Sequence, residues 1–343
     1  MEASLTPRQI AKRMLNGESP PRPLLLPIVF SLGAKIENVP LGAFLSNPTK
    51  IVNAARQMRN HLQTDGAACY FDPYLEVEAL GATLQRRTEG DLPGVQWKHA
   101  AKPGEMPEGL RSPEEAAKCG RIPVAAEVIR RMNAVPNRDF LLMASVGGPL
   151  ALAAMLTQTE TKGSPGMGSF SSDALEFAAS VDTQVVKTYL EAGADTIFIH
   201  EALPADSAPE RFEDWAGLLS PTINLIRFYE ALPVLQVADT PALRRNWETI
   251  RRQPWECVIC APASVASLRT RKETAENAES LSGMALPPEI FLAETPSRET
   301  AIANCRSVLA QSRPAVITTA GDVPFATDMK HLKKVFEEIV RRT

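Results

Sequence analysis

Short apolar runs of strand length alternate along the chain with longer stretches in which apolar residues recur every three or four positions. This pattern predicts strands at PLLLPIVF (23–30), AACYFD (67–72), DFLLMASV (139–146), DTIFIHE (195–201), PVLQVAD (233–239), ECVICA (256–261), EIFLAE (289–294) and AVITTAG (315–321). Helical periodicity fills the intervals at 48–63, 122–134, 171–193, 221–232, 241–252, 264–281 and 297–311, with a last helix at 327–341. Eight apolar strands, each followed by a helix, predict an α/β protein built as one (β/α)8 TIM barrel over 1–343, because parallel strands covered on both faces are apolar throughout. Two stretches interrupt the alternation. TLQRRTEGDLPGVQWKHA (83–100) predicts a hairpin inserted after strand two, and TKGSPGMGSFSSD (161–173) has the Gly/Ser composition of a lid loop.

Composition changes this picture little. With 44% apolar and 22% charged residues, the chain has the make-up of an ordinary globular protein, and a net charge of -3 argues against nucleic acid or an anionic membrane as the principal partner. The opening MEASLTPRQIAKRMLNGE patterns as an amphipathic helix rather than a signal peptide, and no run approaches the ~18 apolar residues of a membrane span. A cytoplasmic protein is therefore expected. Five scattered cysteines, an odd number, predict reduced thiols rather than a disulfide framework.

In a barrel of this kind the reactive groups lie at the carboxyl ends of the strands. Those ends carry Asp72, Ser145, His200 with Glu201, Asp239, Cys260, Glu294 and Asp322. Five are carboxylic acids from five different strands, which predicts an acid-ringed mouth. The competing reading is that they cap the helices that follow, since acids favour helix N-termini. Glu76 and Glu78, beyond Pro73, read as secondary to Asp72, which ends the apolar strand.

Other chemistry is sparse. Cys257 and Cys260 form a CxxC, but inside a strand positions three apart face opposite sides, and no second pair of ligands completes a zinc site. Cys257 is expected to be a buried apolar residue, and Cys260 the one nearer the pocket. Nucleotide-loop, serine-hydrolase and HExxH motifs are missing. Gly147 and Gly148, in SVGGPLALA, allow close backbone approach to a ligand or simply a tight turn.

DGAACYFDPYLEVEALGA, SVGGPLALAAML, YLEAGADTIFIHEALPADSAPERFEDWAGLLSPTINLIRFYEAL and AVITTAGDVPFATDMKHLKKVFEEI together resemble the uroporphyrinogen decarboxylase superfamily, including its corrinoid-dependent methyltransferase branch. Asp72 matches the essential aspartate after strand two of the decarboxylases. Their N-terminal arginines have no match, since SLGAKIENVP follows the first strand and no arginine occurs there before Arg56, and their tyrosine after strand three falls near Met155. Thiol-methylating relatives bind zinc through a His-x-Cys after strand five and a Cys after strand eight. Here Gln236, Ala238 or Asp239, and Asp322 stand in that neighbourhood, so no metal is expected.

The resemblance thus implies a methyltransferase without catalytic zinc, moving a methyl group between a corrinoid, or a small methylated donor, and tetrahydrofolate. On that reading Asp72, Glu201 and Asp322 are the catalytic candidates, and Asp239, Gly147, Gly148, His200, Glu294 and Gly321 the cofactor-binding ones. Tetrahydrofolate is the expected cofactor, with cobalamin supplied by a separate corrinoid protein as an option, and homo-oligomers are admitted. The rivals are a decarboxylase acting on another substrate and a non-catalytic cofactor binder.

Overall fold

The computed structural model describes residues 5–85, 94–97, 105–157, 170–201, 209–237, 243, 247, 250, 255–262, 281–292, 296–311 and 313–339. Eight strands, β1 (Leu24–Leu25), β2 (Gly66–Ala68), β3 (Leu141–Gly147), β4 (Thr196–Glu201), β5 (Leu232–Val237), β6 (Cys257–Cys260), β7 (Leu281–Leu286) and β8 (Val316–Thr319), form one parallel sheet in the order β1-β8-β7-β6-β5-β4-β3-β2. Its two ends meet through Asp65. The backbone N–H of Asp65 donates to the Leu25 carbonyl at 2.9 Å, its Oδ2 accepts from Leu25 N at 2.8 Å, and Arg22 grips both carboxylate oxygens at 2.7 and 2.8 Å.

Helices cover the outside: α1 (Pro7–Leu15), α2 (Pro48–Leu62), α3 (Leu75–Leu80), α4 (Ile122–Asn133), α5 (Pro149–Leu156), α6 (Ser172–Ala192), α7 (Pro209–Phe228), α8 (Pro296–Gln311) and α9 (Met329–Ile339). The predicted hairpin is present, Thr83–Gln85 pairing antiparallel with Gly94–Gln96. Strand alternation sorts the apolar residues into two cores. Leu24, Leu26, Ile28, Leu141, Met143, Phe198, Leu232, Val234, Cys257 and Ile259 fill the barrel, and their neighbours face the helices. At the amino end, α1 starts on a Thr6–Gln9 capping box and turns Ile10, Ala11 and Met14 into the interior core, stoppering the barrel.

One strand lies elsewhere than expected. The seventh is Leu281–Leu286, whereas Pro288–Phe291, overlapping the start of the predicted EIFLAE, is a 3-10 turn that buries Ile290 and Phe291. Gly283 is the reason. A Cβ there would lie 2.6 Å from Ile259 Cγ1 and 3.2 Å from the Val316 carbonyl, so packing demands the residue that strand propensity disfavours. The lid residues 161–169 and most of the helices expected at 241–252 and 264–281 lie outside the described residues.

Candidate functional site

Strand register decides which residues reach the carboxyl-end interior. Gly147 pairs with His200, and His200 with Gln236, across β3, β4 and β5. All three share the face of Met143, Phe198 and Val234 in the barrel core. Burial pushes the His200 imidazole down to about 4, so it is neutral at pH 7. Its ring meets the edge of Phe71 at 5.3 Å between centroids and stacks at 6.3 Å on Phe198. The Gln236 amide donates from Nε2 to the Thr319 carbonyl at 3.0 Å, and Gly147 leaves open space, since an added Cβ would meet no atom within 4 Å.

The predicted acids occupy different ground. Asp72 Oδ1 accepts from Tyr74 N at 2.9 Å, which builds the turn into α3. Its Oδ2 lies 2.7 Å from Arg121 Nη2, off the line of a good hydrogen bond but within ion-pair distance, and its side chain has 0% exposure. The same guanidinium bonds Glu78 Oε2 at 2.7 Å and the Tyr70 hydroxyl at 3.3 Å, and that hydroxyl donates to the Leu45 carbonyl at 2.7 Å. Desolvation outweighs Arg121 and raises the Asp72 carboxyl. The acid that ends the second strand is thus buried in an ion network with Arg121. Glu78 belongs to that network too.

Glu201 sits one residue past inward-facing His200 and therefore points to the helix layer. Its Oε1 accepts from Ala151 N at 3.0 Å, and its Oε2 from Leu150 N at 3.3 Å and Trp215 Nε1 at 3.2 Å. The carboxylate is seated on the positive N-terminus of α5. Gly148 makes that seat, since a Cβ there would fall 2.2 Å from Glu201 Oε2. Replacing Glu201 by alanine strands these three donors and is expected to cost about 2–4 kcal/mol, with glutamine milder. Urea denaturation measures this. An unchanged midpoint together with lost activity would return Glu201 to the reactive groups.

Asp322, just past β8, ties two strand ends together, its Oδ1 accepting from Phe30 N at 2.7 Å and its Oδ2 from Ser31 N at 2.9 Å. Part of the residue reaches solvent, yet desolvation pushes the carboxyl up to about 6 against the hydrogen bonds from residues 30, 31 and 323. The neighbouring Gly321 carbonyl accepts from Thr319 Oγ1 at 2.5 Å. Asp239 and Glu294 lie outside the described residues. Cys257 and Cys260 do face opposite sides, but Cys257 is the one inside the barrel, and Cys260 packs with Val258 in the outer core. Among the described residues no group of three His, Cys, Asp or Glu side chains could hold a metal ion.

Two further acids are buried, Glu76, which sequence reasoning placed second to Asp72, and Asp182, which it missed. Glu76 is 1% exposed, accepts from Gly147 N at 3.3 Å, and is pushed up to about 7 by burial. Asp182, inside α6, is 2% exposed with neither oxygen hydrogen-bonded, and burial, then the charges of Glu76 and Glu201, raise it well above its ordinary value. Helical periodicity was the available signal, because Asp182 falls on the buried stripe of Ala178, Val181, Val185 and Val186.

An eight-stranded parallel barrel with polar groups gathered at its carboxyl ends places the protein among the (β/α)8 barrels. The sequence profile described as Uroporphyrinogen decarboxylase (URO-D) matches residues 6–341, and the chain belongs to that family. Among solved structures, a methyltransferase from Methanosarcina mazei superposes with a TM-score of 0.75 at 18% identity, over 99% of both chains. A Listeria monocytogenes protein described as a vitamin-B12 independent methionine synthase reaches a TM-score of 0.50 at 9% identity, over 94% of this chain and 98% of that one. At these identities the likeness is one of fold. No curated protein sequence matches the chain. No helix among the described residues is long and apolar enough to cross a membrane.

Proposed function

We propose that the chain is a methyltransferase that moves a methyl group between a corrinoid, or a small methylated donor, and tetrahydrofolate, without catalytic zinc. One observation carries the reading. Arg121 is the guanidinium bound to the aspartate matched to that of the decarboxylases, and Asp72 and Glu78 consume it, while the inward row across β3, β4 and β5 is the neutral set Gly147, His200 and Gln236. Neutral hydrogen-bonding groups suit an uncharged ring with N–H donors better than a substrate bearing many carboxylates.

Bound tetrahydrofolate would supply the N5 amine that accepts or gives the methyl group. The chain's part is to orient the ring along the line of transfer and to shed water, and positioning of this kind supplies most of the rate in such displacements. Asp322, with its carboxyl near 6, suits holding or releasing a proton at neutral pH. Gln236 and Asp322 stand where the thiol-methylating relatives are implied to carry zinc ligands. Here they bind the backbone of other strand ends, and neither offers a thiolate. Decarboxylation through Asp72 would require that carboxyl to meet substrate, and Arg121 and the turn at Tyr74 enclose it.

The test incubates the protein with methylcobalamin and tetrahydrofolate, and in reverse with 5-methyltetrahydrofolate and cob(I)alamin, following the methylated products by mass spectrometry. Small methylated amines and sulfides are screened as donors in parallel. Expected is folate-dependent transfer at a rate that a zinc chelator leaves unchanged. Release of labelled carbon dioxide from a carboxylated substrate without methyl transfer would support the decarboxylase instead, and folate binding without turnover a non-catalytic binder.

A further inference from the structure

Among the described residues, two polar atoms inside the barrel lack partners, and they sit on neighbouring strands in one row. Gln236 is 6% exposed, and its Nε2 reaches the carbonyl of Thr319. Strands β5 and β8 are not sheet neighbours, so this bond crosses the interior. Because Thr319 presents an acceptor, the amide must turn its NH2 that way, which leaves Oε1 pointing elsewhere as a pure acceptor. Oε1 is buried and unpartnered.

On the adjacent strand, in register, His200 Nε2 is also buried without a partner, and the ring is bordered by Phe71. Beyond it in the same row lies Gly147, where a side chain would find open space. Buried polar atoms left unpaired cost stability, and two in one row beside a vacant position mark a place where a ligand completes the bonding.

We infer that His200 and Gln236 together read the lactam edge, an adjacent N–H and C=O, of a planar heterocycle that occupies the space left by Gly147. Gln236 Oε1 accepts the lactam N–H, and the neutral imidazole, protonated on Nε2, donates to the lactam carbonyl. A neutral reader of this kind favours an uncharged ring, and the flanking Phe71 favours a flat one. That the occupant is a pterin rests on the function proposed above; the pairing of the two side chains does not.

The test titrates 6-methylpterin and its N3-methyl derivative, which lacks the lactam N–H, against the full chain. The parent is expected to bind 6-methylpterin at least ~10-fold more tightly than the N3-methyl compound, the loss of one buried hydrogen bond. Gln236→Leu should weaken 6-methylpterin by roughly 10- to 100-fold and erase the difference between the two ligands, whereas His200→Phe should weaken both ligands and leave the difference between them. Gly147→Val, which adds bulk where no protein atom lies within 4 Å, should block both ligands and leave the fold intact. It reads the proposal even if Gln236→Leu, deprived of its tie to Thr319, does not fold. Equal affinities in the parent, or binding of neither ligand at millimolar concentration, overturns the inference. Lactam discrimination that depends on Gln236 without any methyl transfer would sink the proposed reaction and keep the subsite. Methyl transfer to folate with affinities indifferent to Gln236→Leu would do the opposite.

Discussion

Arg121→Leu is expected to lower the unfolding free energy by about 3–5 kcal/mol, the usual cost of breaking a buried ion pair by removing one partner. The guanidinium is 7% exposed and faces Asp72 at 2.7 Å, Glu78 at 2.7 Å and the Tyr70 hydroxyl at 3.3 Å. Without it two carboxylates are left facing each other at the start of α4, where desolvation already raises both. The variant should therefore take up protons there at a higher pH than the parent. Carboxyls raised further in the folded state stabilise it below their unfolded pKa, and that contribution is lost as the pH rises. The destabilisation should accordingly be smaller at pH 5 than at pH 8, and Asp72→Asn in the same chain should restore part of it. Urea denaturation at both pH values, with constant slope, measures the effect. A loss below about 1 kcal/mol at pH 8 would mean that the network holds nothing together.

The barrel was legible because its signal is collective. Eight apolar runs separated by helical stretches leave few alternatives once parallel strands must be apolar on both faces. Seven of the eight runs overlap the strands found, and the eighth slipped because Gly283 and the Pro287–Pro288 break disguise a strand that is glycine-bearing for steric reasons. The hairpin at 83–96 was legible from its turn composition. Strand lengths were not: 23–30 reads as one continuous run, but only Leu24–Leu25 enters the ladder, and the chain from Pro27 onward is held by side chains such as Thr319 and Asp322.

The site was legible by position but not by role. Listing strand ends reached His200, Gly147 and Asp322, yet a strand-end acid can turn inward or outward, and one residue of register reverses the answer. Glu201 turns outward because His200 turns inward, and a helix N-terminus waits for it at residues 149–151. Asp72 turns toward Arg121, forty-nine positions later in the chain, a pairing that no local pattern announces. Gln236 stood in the aligned neighbourhood of a zinc ligand, but its orphaned oxygen depends on Thr319 across the barrel, a contact that only the closed fold supplies.

Glu76→Gln is expected to stabilise the protein at pH 8 by about 3 kcal/mol at most, and to do little at pH 4. Burial pushes the Glu76 carboxyl from its ordinary 4.5 up to about 7, with its own backbone and the Gly147 N–H pulling it back and the charge of Asp72 adding to the rise. A folded-state pKa above the unfolded one favours the protonated carboxyl in the native protein. The stability it contributes is fully present below about pH 4.5 and is lost as the pH rises through about 7. The gap between those values sets the ceiling at about 3 kcal/mol. Glutamine keeps an acceptor for Gly147 N and cannot ionise, so its advantage should grow across that window. Asp182 is raised in the same sense and leaves a residual pH dependence, which adding Asp182→Asn should flatten. Denaturation midpoints of parent and variants from pH 4 to pH 8 give the comparison. An advantage of equal size at both ends would mean that no titrating carboxyl lies behind Gly147, and with it would go the picture of a neutral wall supporting the His200–Gln236 row.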